Sequence, residues 1–136
     1  MKLTEHFRLR EFRVSNDHPG LAKVIQFSDI EIERIRFACA SIFEPLRLRF
    51  GPVIITSGKR SPALNDAVGG HPQSHHMFQD DHGATDFTIP GAPVSEVTQF
   101  LMSTCRFRYL IRYPAQNFWH ISYPDSSGEY QRYWEK

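Results

Sequence analysis

The stretch "ATDFTIPG" (residues 84–91) predicts the strand on which the rest of the fold depends. Side chains of a strand point alternately to its two faces. Asp86 and Thr88 therefore share one face, whereas Phe87 and Ile89 share the other, and the proline–glycine pair ends the strand. The apolar face is suited to packing against a helix. The polar face carries the Asp86 carboxylate, which has no role in packing and is free for another function.

A second strand is predicted near the end of the chain, in "FWHISY" (residues 118–123). Alternation places His120 opposite Trp119 and Ile121, so His120 can converge with Asp86 on the face that no helix covers. One imidazole from the histidine-rich stretch "HPQSHHMFQDDH" (residues 71–82) would complete a set of two histidines and one carboxylate. Three protein ligands leave a fourth zinc position open, which is the pattern of catalytic rather than structural zinc.

The remaining elements predict one α+β domain over residues 1–136. A helix should begin after Ser28, a good capping residue, and Pro45 should kink or end it. "PVIITSG" (52–58) predicts a strand, "SPALNDAVGG" (61–70) a short helix, 93–104 a longer helix, and "FRYLIRY" (107–113) a strand paired with "FWHISY". Because helices and strands do not alternate strictly, we expect a mostly antiparallel sheet with helices packed on one face.

The composition excludes several classes of function. The chain has 16 basic and 15 acidic residues among 136, so its net charge gives no electrostatic reason to expect binding to nucleic acid or to an anionic membrane. No apolar run approaches the length of a membrane span. Cys39 and Cys105 lack a second cysteine at zinc-ligand spacing, so we expect buried free thiols. The N-terminal "MKLTEHFRLREF" lacks the apolar core of a signal peptide, so we expect synthesis in the cytoplasm.

Several motifs together resemble a known family of zinc peptidases. "SGKRSPALNDAVGG", "SHH" and "GATDF", followed much later by "FWHIS", are similar to the D-Ala-D-Ala carboxypeptidase and VanX-type metallopeptidases. Within that family the chain looks closest to small phage endolysin-type enzymes that cut peptidoglycan peptides. The family signature is S-x-H-x-x-G-x-A-x-D with a late-strand W-H or W-x-H. The resemblance covers nearly the whole chain and implies the hedgehog-like α+β fold.

The resemblance implies roles for individual residues. His76 and Asp86 match the signature's histidine and aspartate, and His120 matches the late-strand ligand, so the three would hold one Zn²⁺ per chain. Arg60 matches an arginine that faces the substrate near the metal. Ser74 matches the signature serine, which either contacts substrate or caps the turn that holds His76.

Two departures from the family pattern leave alternatives open. His76 and Asp86 are ten positions apart, three more than in the signature, so His82 could replace His76 as a ligand. Many members also carry an acid three residues before the last histidine, where this chain has Asn117, and an amide cannot accept a proton from water. Asp80 or Asp81, within the three-residue excess, could supply a general base instead.

The expected function is metal-assisted hydrolysis of an amide bond in peptidoglycan stem or cross-bridge peptides. Arg60 would orient substrate, with Ser74 and Asn117 as further substrate contacts. The alternative is a catalytically inactive zinc-binding module of the same fold that recognises the cell wall or a virion partner, and Asn117 favours it. We expect a monomer without nucleic-acid or membrane partners, acting at the wall after release by lysis or carriage in a virion.

Overall fold

The computed structural model describes residues 1–126 and 131–136, and within them five strands form one sheet in the order β1-β2-β4-β3-β5. The strands are β1 (Ile54–Ser57), β2 (Ala84–Thr88), β3 (Tyr109–Tyr113), β4 (Phe118–Ser122) and β5 (Arg132–Glu135). Neighbouring strands are antiparallel except for β3 and β5. The predicted α+β class with a mostly antiparallel sheet is confirmed.

The helices lie before and between the strands. They are α1 (Pro19–Lys23), α2 (Asp29–Ala38), α3 (Glu44–Phe50), α4 (Pro62–Ala67) and α5 (Val94–Thr104), with short 3₁₀ turns at Leu9–Phe12 and His75–Met77. The predicted helix start at Ser28 is confirmed. The Glu31 backbone N–H donates to Ser28 Oγ at 3.2 Å, and the Ser28 N–H donates to Glu31 Oε1 at 2.8 Å. This reciprocal pair satisfies two backbone donors that a helix start otherwise leaves free.

Pro45 does not end the long helix, contrary to one of the two outcomes expected from the sequence. A π-helical turn (Cys39–Phe43) joins α2 to α3, and Pro45 lies in the first turn of α3. Proline lacks an N–H and its ring clashes with the carbonyl four residues earlier, so a change of hydrogen-bond register just before it relieves both problems. The helical path continues to Gly51, whose φ of 96° ends it.

The core lies between the helices and one face of the sheet. Phe87 from β2 and Trp119 and Ile121 from β4 are buried there against Phe43 of the π-helical turn. These are the residues whose alternation predicted an apolar face. Consequently the opposite face of β2 and β4 carries polar side chains, and it is the face on which a site can form.

The cysteines, the C-terminal strand and the length of the helices bear on the remaining predictions. Cys39 and Cys105 are free and buried, as predicted. The C-terminal strand β5 pairs with β3 at one edge of the sheet, with Tyr133 packed against the core; residues 127–130, just before it, lie outside the described part. Within the described residues, no helix is both long enough and apolar enough to span a membrane.

Candidate metal site

Two of the three predicted ligands face each other across neighbouring strands. Asp86 of β2 and His120 of β4 are register partners in the antiparallel ladder. Their side chains point to the polar face, and His120 Nδ1 lies 2.9 Å from Asp86 Oδ1. The backbone hydrogen bonds of two internal strands therefore fix the separation of these two groups.

The third group comes from the 3₁₀ turn His75–Met77, which the histidine-rich stretch forms. The His76 backbone N–H donates to Ser74 Oγ at 3.3 Å, so Ser74 caps this turn, one of the two roles expected for it. His76 Nε2 lies 3.0 Å from Asp86 Oδ1 and 3.2 Å from His120 Nδ1. The three atoms form what we call the donor triangle: His76 Nε2, Asp86 Oδ1 and His120 Nδ1.

A backbone contact behind His76 fixes its ring. His76 Nδ1 lies 2.8 Å from the carbonyl oxygen of Gly58, which can only accept, so Nδ1 carries the hydrogen and Nε2 presents its lone pair to the triangle. The His76 carbonyl in turn accepts from the Arg60 backbone N–H at 2.7 Å. Such a carbonyl partner on the far ring nitrogen is the usual support of a metal-binding histidine.

The electrostatics of the triangle favour a cation. Burial raises the pKa of Asp86, but the neighbouring His76 and His120 outweigh this and hold its pKa well below the usual range. Burial lowers the pKa of His76, so its ring stays neutral. Zinc bonds of about 2.0–2.1 Å in a tetrahedron place ligand atoms about 3.3 Å apart, close to the triangle's edges. A carboxylate and two imidazoles at this spacing fit Zn²⁺.

Arg60 lies beside the triangle, as expected. Its Nη2 is 3.8 Å from Asp86 Oδ2, and its Nη1 donates to Asn65 Oδ1 at 3.2 Å. Burial lowers the pKa of Arg60, an effect that the Asp86 carboxylate opposes. Asn65, which sequence reasoning missed, is buried and orients the guanidinium. Its only sequence signal is its place in "SPALNDAVGG", five residues after the arginine.

A cavity of about 190 Å³ opens next to these groups. Asp86 and Arg60 line it together with Phe118 and the turn at residues 15–17. Phe118 stacks on Tyr113 with ring centroids 4.5 Å apart. A small substrate segment can therefore reach Asp86 and Arg60 from solvent past the Phe118 ring.

The structure does not bring Asp80, Asp81 or His82 into the triangle. Asp81 and His82 instead form a second group with Asp125. His82 Nδ1 lies 2.6 Å from Asp125 Oδ2, and an Asp81 carboxylate oxygen accepts from the Ser126 N–H. Asp80 is exposed, with a φ of 54°. The three-residue excess in the sequence thus lies against the segment after β4, and His76 rather than His82 is in the triangle.

Asn117 points away from the triangle. It precedes β4 with a φ of 57°, and its Oδ1 accepts from Arg112 Nη2 at 2.6 Å. The Arg112 guanidinium lies 4.8 Å from the centre of the Trp119 ring, on the core face of the sheet. Asn117 and Trp119 line one cavity with Arg112, whereas His120 lies on the opposite face of β4 from Trp119. In this chain the side chain at position 117 therefore does not face the donor triangle.

Comparisons with known proteins agree with this geometry. No curated protein matches the chain significantly. The family model described as Peptidase M15 matches residues 6–122, a span that includes the donor triangle, Arg60 and Asn65. Peptidases of this family depend on zinc, for which the triangle supplies two imidazoles and a carboxylate. This chain belongs to the peptidase M15 family and is a zinc metallopeptidase-like protein.

Proposed function

We propose that this chain hydrolyses an amide bond in the stem or cross-bridge peptides of peptidoglycan, as a zinc-dependent carboxypeptidase or endopeptidase. The observation that carries the proposal is the donor triangle, whose three atoms lie within 3.2 Å of one another beside Arg60 and an open cavity. The similarity of its motifs to phage endolysin-type enzymes supports peptidoglycan as the substrate. Lysis or a virion would bring the protein to the wall.

The donor triangle would hold the metal, and Arg60 would bind the substrate. When bound, zinc supplies a Lewis acid that activates water and polarises the scissile carbonyl. The donor triangle keeps one side of the site closed by protein and leaves the cavity side for substrate. Arg60, oriented by Asn65, would pair with a substrate carboxylate or the developing oxyanion, where a fixed charge lowers the barrier.

The proton acceptor is proposed to be Asp80 or Asp81, although neither carboxylate belongs to the donor triangle. Asp81 would have to release the Ser126 N–H to act as a base, whereas the exposed Asp80 carries no such bond within the described residues. If Asp80 is the base, Asp80→Asn should lower the rate roughly 10²- to 10⁴-fold at unchanged zinc content. Asp81→Asn, which keeps an oxygen for Ser126, is the matched variant.

The test of the function is release of peptides from purified peptidoglycan by the zinc-loaded protein. We expect release that stops when a chelator removes the metal and returns when zinc is added. Arg60→Ala should cost roughly 10²-fold in rate while zinc content stays the same. The exposed Arg10 offers a control, since Arg10→Ala should change neither. Zinc-loaded protein that binds peptidoglycan but releases nothing from any wall type would refute the enzyme and support a binding module.

A further inference from the structure

The cavity beside the donor triangle contains a third charged group in addition to Arg60 and Asp86. Asp17 lines the cavity together with Arg60, Asp86 and Phe118. It is exposed, and no ion pair or side-chain hydrogen bond joins Asp17 to any residue within 1–126 and 131–136. The cavity is therefore lined by one cation, Arg60, and by a carboxylate, Asp17, that has no ionic partner among the described residues.

The turn that carries Asp17 is anchored to the strand next to the site. Ser15 forms a β-bridge with Ser57 at the end of β1, and Ser15 Oγ accepts from the His18 backbone N–H at 3.2 Å. Upstream, the Phe12 carbonyl accepts from the Lys59 N–H at 3.2 Å. The backbone of the turn therefore has a defined position relative to Arg60, and Asp17 lies at one edge of the cavity.

The charges around the cavity indicate which ligand groups favour the edge that carries Asp17. Arg60 and a bound divalent metal ion both attract the anionic part of a substrate, a carboxylate or a developing oxyanion. Asp17 repels such a group and favours a cation. In a cavity of about 190 Å³ the two preferences apply to neighbouring parts of one small ligand. Peptides meet both requirements when a free amino group lies within a residue or so of the scissile amide.

We propose that Asp17 is a specificity-determining residue that binds the ammonium group of the substrate peptide. The proposal rests on the peptidase function proposed above and narrows its substrate class. Peptides with an unblocked amine near the cut bond are preferred over the same peptides with that amine acylated. Asp17 acts on binding, and it takes no part in holding the metal.

The test uses two matched pairs of compounds: D-Ala-D-Ala and L-Ala-D-Glu, each with its N-acetyl derivative. The zinc-loaded wild type should prefer the free amine, and Asp17→Asn should reduce that preference about 2- to 5-fold, as expected for one exposed ion pair. The loss should fall on KM with kcat nearly unchanged, and Asp17→Lys should reverse the preference. Asp66→Asn, which removes an exposed carboxylate outside the cavity, is the control.

Two results would overturn the proposed ammonium-binding role of Asp17. One is an equal effect of Asp17→Asn on the free and acetylated compounds, and the other is no effect on either. If the wild type cleaves none of the four compounds, calorimetric titration of the same zinc-loaded proteins decides the matter. A free-amine preference in Kd that Asp17→Asn removes would support the subsite although cleavage failed. A wild type that binds both members of each pair equally would overturn it.

Discussion

Replacing Gly58 with alanine should weaken zinc binding, although Gly58 is not a ligand. A Cβ at this position would lie 2.1 Å from the Phe12 carbonyl oxygen and 2.6 Å from the carbonyl carbon. Both are backbone atoms, so no flexible side chain can move aside. To restore even a tight contact of 3.0 Å, the two segments must separate by about 0.9 Å.

That displacement acts on the metal site through His76. If the Gly58 carbonyl moves by this amount, its 2.8 Å contact with His76 Nδ1 lengthens to about 3.7 Å, beyond hydrogen-bonding range. The imidazole then loses the partner that fixes its tautomer and orientation. Loss of such a partner typically costs 10- to 100-fold in metal affinity, which is about 1.4–2.7 kcal/mol.

The measurement is the zinc Kd from competition with a chromophoric chelator, with circular dichroism to show that the variant is folded. Gly20→Ala is the control, because nothing lies within 4 Å of a Cβ at that position and its helix favours alanine. A folded Gly58→Ala protein with wild-type zinc affinity would refute the link from Gly58 to the metal through His76. An equal loss in Gly20→Ala would show that the effect is not local.

Three further predictions concern the ligands, the thiols and the hairpin. Alanine at any proposed ligand, His76, Asp86 or His120, should abolish stoichiometric zinc, measured by atomic absorption, whereas His82→Ala should retain it. The Cys39→Ser, Cys105→Ser double variant should bind zinc normally and lose only stability, because burial raises the pKa of both thiols, that of Cys105 to about 11. Its loss of zinc would contradict the ligand assignment. Asn117→Glu should pair with Arg112 on the core face and leave turnover unchanged, so a large gain in rate would show that the side chain reaches the metal.

Local sequence patterns were sufficient for the elements that position Asp86 and His120. The alternation in "ATDFTI" and "FWHIS" predicts which side chains share a face, since strand geometry has a fixed period of two. The cap at Ser28 is equally local, because it depends on two residues three positions apart. Such features follow from neighbouring residues alone, and the structure reproduces them.

Features that depend on tertiary contacts were not predictable in the same way. The parallel pairing of β5 with β3 was missed, because pairing partners are not encoded in the strand itself. The orientation of Asn117 depends on a positive φ and on Arg112 across the hairpin. The docking of Asp81 and His82 on Asp125 and Ser126 joins segments more than forty residues apart. Spacing along the chain gives no account of such contacts.

The assembly of the donor triangle from distant segments ties the protein's lifetime to its metal supply. His76 and His120 are 44 residues apart, so an unfolded chain does not hold the three donors together. Bound zinc would therefore stabilise only the native state, by about 4 kcal/mol at a thousandfold excess over Kd. The core lies on the other face of the sheet, so the metal-free chain should still fold but open more often. We expect trypsin, a protease that needs no zinc, to degrade the metal-free protein faster than the zinc-loaded one. Equal rates of degradation would contradict this coupling. In a zinc-poor cell, proteolysis would then remove the metal-free protein, which lacks the ion it needs for activity.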